Sequence, residues 1–336
     1  MKIQLTGEQK ARIEELSEEL SQEFSSVEEQ SFGDRVALLS QELPRDLRRK
    51  LLEFRIHESA EGVCHISGLE VDDDAIGPTP EHWKVRRRPA AAHRLECAFA
   101  LLASAVGEPI AWRTQQDGTL MHDILPIQGH EGEQLGSGSE ELLWWHTEDA
   151  FHPYRGDYLG MFCMRNPDRV PTTVCAISEV LLDEESRRCL FEPHFTIRPD
   201  ESHLAKNALR PVAGDLSDSY RSIERMWNQP QKLEVLFGDP DAPYLRLDPY
   251  FMDPADHPRA QQALDKLIKA IDESLWDLVL KPGDVCLLDN YQVVHGRRAF
   301  RARFDGSDRW LKRLNLVRDL RKSRDARPSS GSRVIG

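Results

Sequence analysis

The sequence predicts a mainly β fold, a sandwich or barrel carrying peripheral helices. Short apolar runs suited to strands recur beyond residue 60. Clusters of Gly, Pro and Asp punctuate them, as in Gly238-Asp-Pro-Asp and Lys281-Pro-Gly-Asp. Only two helical stretches interrupt the series, which suits stacked sheets better than alternating strand–helix units.

Taken in order, residues 6–55 read as a helical arm. Thr6 with Gln9 fits a capping box, and Ile13, Leu16, Leu20 and Phe24 recur at helical spacing. Pro44 suits the start of a further helix ending near Phe54, and the acidic residues opposite the apolar stripe read as a solvated face. Strands are expected over 62–69, 119–127, 142–147, 158–164, 172–177, 233–237, 244–247, 284–289 and 310–317. A helix is expected over 89–106, stopped by Gly107. A second is expected over 259–275, with Leu264, Leu267, Ile268, Ile271 and Leu275 on one stripe. The polar stretch 197–224 reads as a long loop, and long loops in compact domains are often lids. The whole of 1–336 is expected to form one domain, with 1–55 as its arm.

Composition limits the partners. The chain has 336 residues, 57 acidic and 44 basic, and a formal net charge of −13. Such acidity argues against nucleic acid or an anionic membrane. The N-terminus has no apolar core of a secretory signal, and the longest apolar stretch, 98–106, is well short of the roughly 20 residues of a membrane span. Six cysteines lie scattered without a C-x-x-C pair, so the expected location is the reducing cytoplasm. The sequence contains no G-x-G-x-x-G, P-loop, G-x-S-x-G or H-E-x-x-H motif.

What remains is His146-Thr-Glu148 at the end of the apolar run Leu142-Leu-Trp-Trp. In a strand, residues i and i+2 share a face, so an imidazole and a carboxylate can meet one metal side by side. A second histidine would complete a two-histidine, one-carboxylate triad with open positions for substrates and O₂. Given 12 His and 57 acidic residues, about two H-x-[D/E] patterns are expected by chance, so the pattern alone decides little. His295 in Val293-Val-His-Gly is the second candidate, with Gly296 permitting close approach. Arg309 and Arg313 stand four apart on an expected strand and would share a face, which suits two carboxylate-bearing small molecules. A region so rich in arginine also places an arginine near any histidine by composition alone.

Together these residues resemble the non-haem iron, 2-oxoglutarate-dependent oxygenases, and within them the clavaminate-synthase-like amino-acid hydroxylases. Other segments carrying the likeness are Thr114-Gln-Gln-Asp-Gly, His122-Asp, Cys163-Met-Arg-Asn-Pro, Asp289-Asn-Tyr and Phe304-Asp-Gly-Ser-Asp-Arg-Trp-Leu. The likeness runs nearly end to end and is similar in most detail to the enduracididine and arginine β-hydroxylases. It implies a distorted double-stranded β-helix, or jelly roll. It further implies Fe(II) held by His146, Glu148 and His295, with 2-oxoglutarate and O₂ as co-substrates. Arg309 would meet the distal carboxylate of 2-oxoglutarate. Arg313 would meet the substrate α-carboxylate, with Gln115 or Ser137 on its α-amino group. Asp248 matches a guanidinium contact, and Glu148 can lie against the same cation.

The departure is Tyr250, where arginine hydroxylases of this group tend to carry a second carboxylate. An aromatic ring there suits a planar cyclic guanidine, or is ordinary packing. Three readings stay open: β-hydroxylation of a free guanidino amino acid (enduracididine or arginine) in antibiotic biosynthesis; desaturation or γ-hydroxylation by the same iron chemistry; and a non-catalytic metal-binding jelly roll. His152 is expected to orient a loop, and Trp144 and Trp145 to divide between pocket wall and core. Charge is uneven, since residues 297–336 hold a local +9 and leave −22 elsewhere. That contrast suits a small zwitterionic substrate with a cationic side chain.

Overall fold

The structure is a computed structural model, and it describes residues 1–58, 61–85, 88–208, 212 and 214–336. The strands are β1 (Lys2–Gln4), β2 (Val63–Ser67), β3 (Glu108–Trp112), β4 (His122–Ile124), β5 (Leu143–His146) and β6 (Tyr158–Arg165). Next come β7 (Thr172–Ala176), β8 (Phe195–Thr196), β9 (Lys232–Leu233), β10 (Leu236–Gly238) and β11 (Pro243–Leu245). The series closes with β12 (Trp276–Leu278), β13 (Val285–Asp289), β14 (Val293–Arg297), β15 (Trp310–Val317) and β16 (Val334–Ile335). The α-helices are α1 (Gly7–Glu23), α2 (Phe32–Leu39), α3 (Arg45–His57), α4 (Ala90–Ser104), α5 (Glu184–Leu190), α6 (Asp215–Asn228) and α7 (Pro258–Ser274).

Two sheets form a sandwich. The larger runs β1-β2-β13-β6-β15-β3-β16, with β4 also on β15, and the smaller runs β12-β7-β14-β5. Alternation along each strand assigns every side chain to one face. On β7, Val174 and Ala176 enter the layer between the sheets, where they join Leu159, Met161, Leu288 and Leu311. Cys175 points the other way, into a cluster closed by Leu264 and Leu267 of α7. The outer face of the large sheet is covered by α1 to α4, whose Leu16, Leu20, Leu51, Phe54 and Phe99 join Phe162 and Leu287 in one core. Gly160 lets α4 come close, because a Cβ there would lie 3.1 Å from the Phe99 ring. Lys312 of β15 is buried on this side, 2.5 Å from Glu96 and 2.6 Å from Asp123. No helix among the described residues is long and apolar enough to cross a membrane.

The Thr6–Gln9 capping box is present, and α4 and α7 lie where periodicity puts them. The apolar stripe of the helical arm joins the main core. The expected strand 233–237 is divided between β9 and β10. Among its described residues the stretch 197–224 is not a continuous loop, since α6 begins in its second half and short 3-10 turns, Glu201–His203 and Ala205–Asn207, lie in its first, while 209–211 and 213 lie outside the described residues. Tyr220 and Ile223 bury an apolar edge too narrow to stand out among the polar residues around them.

Candidate active site

The site is built where β5 and β14 pair. Their register places His295 directly opposite His146, so both imidazoles leave the small sheet on one face, with ring centroids 4.7 Å apart. Gly296 makes the pairing possible, because a Cβ there would stand 2.6 Å from the Leu143 carbonyl oxygen. Glu148 lies just beyond β5, and the Asn290 side chain holds its backbone. Asn290 Oδ1 accepts from the Glu148 amide at 2.7 Å, while its Nδ2 donates to the carbonyls of Glu148 and Gly156 at 3.0 and 2.9 Å. The Glu148 carboxylate therefore converges on the histidines, with Oε2 3.8 Å from His146 Nε2 and 3.4 Å from His295 Nε2.

Three features of this cluster fit a metal ion. The three ligand atoms lie within 4.8 Å of one another. Glu148 Oε2 is buried and accepts no hydrogen bond. His146 Nδ1–H donates to the Trp144 carbonyl at 2.8 Å, which fixes the ring with Nε2 turned toward Glu148. Burial works against charging His146, but Glu148 and Asp248 outweigh it and raise its pKa to about 9. Burial lowers that of His295. The carboxyl of Glu148 lies well below its ordinary range, held there against burial by Arg313 and both histidines.

The cluster opens on a cavity of ≈300 Å³ that also receives Gln115, Ser137, Asp248, Tyr250, Arg309 and Arg313, so every residue given a metal, co-substrate or substrate role from the sequence reaches one space. Arg309 is buried one residue before β15. Its Nη2 donates to Thr172 Oγ1 at 3.3 Å, its Nε has no acceptor among the described residues, and burial lowers its pKa to about 10. The register shift beside Trp310 places its extra residue, Met164, on β6, so Arg309, Leu311 and Arg313 keep the alternation of one strand face and all line the cavity. Arg313 is engaged three ways: Nη1 lies 2.5 Å from Glu148 Oε1, and Nη2 donates to Gln115 Oε1 at 2.9 Å and His122 Nδ1 at 2.7 Å. Burial and the adjacent Arg313 keep His122 neutral, well below its ordinary pKa, so it accepts that bond.

Asp248 is buried and pairs with no lysine or arginine among the described residues. Burial raises its carboxyl to about 6, with Asp200 adding to the effect and His146 opposing it. Tyr250 stands at the mouth, 52% exposed, edge-on to Trp144 at 6.4 Å. Trp145 is core and donates to Asp272, and His152 Nδ1 accepts from the Tyr154 amide, outside the metal cluster. Sequence reasoning missed Asp200 and Ser202, which reach the cavity from the stretch expected to be loop, and Arg297, whose guanidinium donates to the Gly138 and Glu141 carbonyls. No sequence signal marked the first two. The Asp289-Asn-Tyr segment did mark Asn290, though not its task.

Comparison with known proteins decides the family. Residues 210–315 match the family model "Taurine catabolism dioxygenase TauD, TfdA family". Enduracididine beta-hydroxylase of Streptomyces hygroscopicus is 46% identical over 341 aligned positions, covering 99% of each chain. The chain belongs to the Fe(II)/2-oxoglutarate-dependent dioxygenases. L-ornithine/L-arginine 3-hydroxylase of Catenulispora acidiphila is 42% identical over the same span, again covering 99% of each chain. The non-heme iron oxygenase OrfP in complex with Fe, succinate and (3S)-hydroxy-L-Arg superposes with a TM-score of 0.94 at 42% identity over the whole of both chains. OrfP has also been solved with Fe and alpha-ketoglutaric acid, and with (3R,4R)-dihydroxy-L-Arg. Iron, 2-oxoglutarate and O₂ are the cofactor and co-substrates of this dioxygenase, and the buried, unsatisfied Glu148 Oε2 between two imidazole nitrogens is a site such an ion fits.

Proposed function

We propose that this dioxygenase hydroxylates the β-carbon of a free guanidino L-amino acid, enduracididine or arginine, in antibiotic biosynthesis. One observation carries the reading: Asp248, a buried carboxylate paired with no lysine or arginine among the described residues, faces the same cavity as Arg313. A buried charge needs a partner, and a cationic side chain with an α-carboxylate at its other end supplies one to each residue.

In this reading His146, Glu148 and His295 hold the iron. When bound, iron and 2-oxoglutarate supply an oxidant made from O₂ that can remove hydrogen from an unactivated C–H bond. The protein orients and shields. Arg309, steadied by Thr172, takes the distal carboxylate of 2-oxoglutarate. Arg313 takes the substrate α-carboxylate, Gln115 or Ser137 meets the α-amino group, and Asp248 takes the guanidinium, with Glu148 alongside. Fixing both ends of the substrate decides which carbon lies nearest the iron. Tyr250 and Trp144 favour a flat cyclic guanidine over extended arginine, because a ring stacks where a second carboxylate would pair. The dihydroxylated arginine held by OrfP keeps γ-oxidation as a second outcome of the same geometry.

The remaining parts of the proposal concern organisation. The sandwich is read as a distorted double-stranded β-helix, the whole chain as one domain, and 197–224 as a lid over the cavity. The location is read as cytoplasmic, supported by cysteines that are all free. The partner is a small cationic amino acid rather than nucleic acid or membrane, supported by the net charge of −13. The test supplies Fe(II), ascorbate, 2-oxoglutarate and a panel of amino acids and follows succinate together with product mass. Enduracididine and arginine should yield substrate-dependent succinate and gain one oxygen, and His295→Ala should lose both iron and turnover. No substrate-dependent succinate from any cationic amino acid, with iron confirmed bound, refutes the proposal.

A further inference from the structure

Away from the metal cluster, one imidazole is sealed from water together with a carboxylate. The side chains of His203 and Asp149 are both 0% exposed, and His203 Nε2–H donates to Asp149 Oδ1 at 2.9 Å. His203 Nδ1 meets the Thr114 hydroxyl at 2.8 Å. Phe151 packs edge-on against the imidazole, with centroids 5.0 Å apart. Asp149 immediately follows Glu148 and holds a left-handed backbone, φ +50°. Its other oxygen accepts from Trp112 Nε1 and from Asn315 Nδ2.

Two separate pieces of chain meet at this pair. His203 belongs to the segment 200–208, which carries Asp200 and Ser202 to the cavity. Asp149 and Thr114 adjoin Glu148 and Gln115 in sequence, and Asp149, Glu148 and Gln115 line the cavity. Gln115 Nε2 in turn donates to Ser202 Oγ at 2.7 Å while its Oε1 accepts from Arg313. Lifting the segment would strip one donor from a fully buried carboxylate beside Glu148, and a buried charge left short of partners is costly.

Asp149, Asp200 and His203 also lie within 4.8 Å of one another, as a metal site requires. Most of their polar atoms are already occupied, however. Asp200 Oδ1 accepts from the Ser202 amide and hydroxyl, and both ring nitrogens of His203 are engaged. A hydrogen-bonded anchor accounts for all of these contacts, whereas an ion would break several.

We propose that His203 is a positioning residue that anchors the segment 200–208 over the cavity by bridging Thr114 and Asp149, and so couples cavity closure to the setting of Glu148. The proposal rests on reading His146, Glu148 and His295 as the iron ligands. Without the anchor, water reaches the cavity and the oxidant is spent before substrate. 2-Oxoglutarate still loses CO₂ and takes one atom of O₂ to become succinate, while added ascorbate reduces the other atom to water.

The test compares the full-length protein with His203→Ala and with His203→Gln, whose amide can still donate to Asp149. In the iron-free protein, amide hydrogen exchange over 200–208 should quicken roughly ten- to a hundredfold in His203→Ala and far less in His203→Gln. With iron, 2-oxoglutarate, ascorbate and arginine or enduracididine, the ratio of succinate to hydroxylated product should rise severalfold in His203→Ala and return towards wild type in His203→Gln. Exchange that quickens across β6 and β13 as well marks global loosening, and Thr114→Val, which removes one bond to His203, then decides the same two readouts. Unchanged exchange over 200–208, or faster exchange with an unchanged product ratio, overturns the proposal. Two metal ions per wild-type chain, one of them lost in His203→Ala, overturns it as well. Failure of the wild type to consume any cationic amino acid strikes the proposed function instead, and the exchange arm still judges the anchor.

Discussion

Replacing Asp248 by asparagine should weaken substrate binding while making the protein more stable. Burial lifts the carboxyl of Asp248 from an ordinary 3.8 to about 6. Below pH 3.8 the group is protonated whether the chain is folded or not, and its burial costs nothing as an ion. Between 3.8 and about 6 the folded protein retains a proton that the unfolded chain releases, so stability falls as pH rises through that window. At pH 7 the accumulated penalty is about 3 kcal/mol. A guanidinium docked on Asp248 relieves it, and relief of that size corresponds to about a hundredfold in affinity. Asp248→Asn removes both the penalty and the attraction. Its KM for arginine or enduracididine should rise by about a hundredfold, and its stability in urea at pH 7 should increase by up to about 3 kcal/mol, with no gain near pH 3. The wild-type KM should also climb as pH falls below about 6, and the variant's should not. Steady-state kinetics and urea unfolding across pH suffice. A variant with KM within about threefold of wild type, or one less stable at pH 7, refutes the argument.

Three further outcomes follow from the same geometry. Arg309→Met should raise the KM for 2-oxoglutarate by roughly ten- to a hundredfold, the loss of a charge-assisted contact, while iron binding measured by metal analysis stays intact. Tyr250→Asp should restore a second carboxylate at the mouth and shift the ratio of kcat/KM towards arginine over enduracididine by about tenfold, measured in competition. His146 holds a proton up to about pH 9 in the metal-free protein and must release it to ligate. Iron affinity should therefore fall by about tenfold for each pH unit below 9, read by chelator competition between pH 6.5 and 8.

Much of the site was legible because it obeys short-range rules. His146 and Glu148 are two residues apart at a strand end, and His295 lies on the strand paired with it. Arg309 and Arg313 bracket the start of β15 four residues apart on one face, and the sequence marked both. The layered fold was legible for the same reason, since period-two alternation on strands such as β7 separates inward Val174 from outward Cys175. What was not legible depends on long-range meetings. Asp200, Ser202 and His203 come from a polar stretch whose sequence says nothing about the cavity it returns to. Asn290 grips the Glu148 backbone across 142 positions of chain, and no local pattern encodes that. The basic C-terminal region was only partly legible. Arg309 and Arg313 reach the cavity, whereas Arg327 spends its guanidinium on the carbonyls of Leu320 and Ser330, and Arg333 pairs with Glu108 and Asp34.

In the proposed function one cavity holds iron on His146, Glu148 and His295 and presents the β-carbon of a guanidino amino acid to it. Turnover under ¹⁸O₂, with the product resolved by NMR and mass spectrometry, tests it most directly. One labelled oxygen on the β-carbon of enduracididine or arginine, formed with one succinate, is the expected product. Label on another carbon, loss of two hydrogens without label, or succinate formed with no change in the amino acid would contradict it.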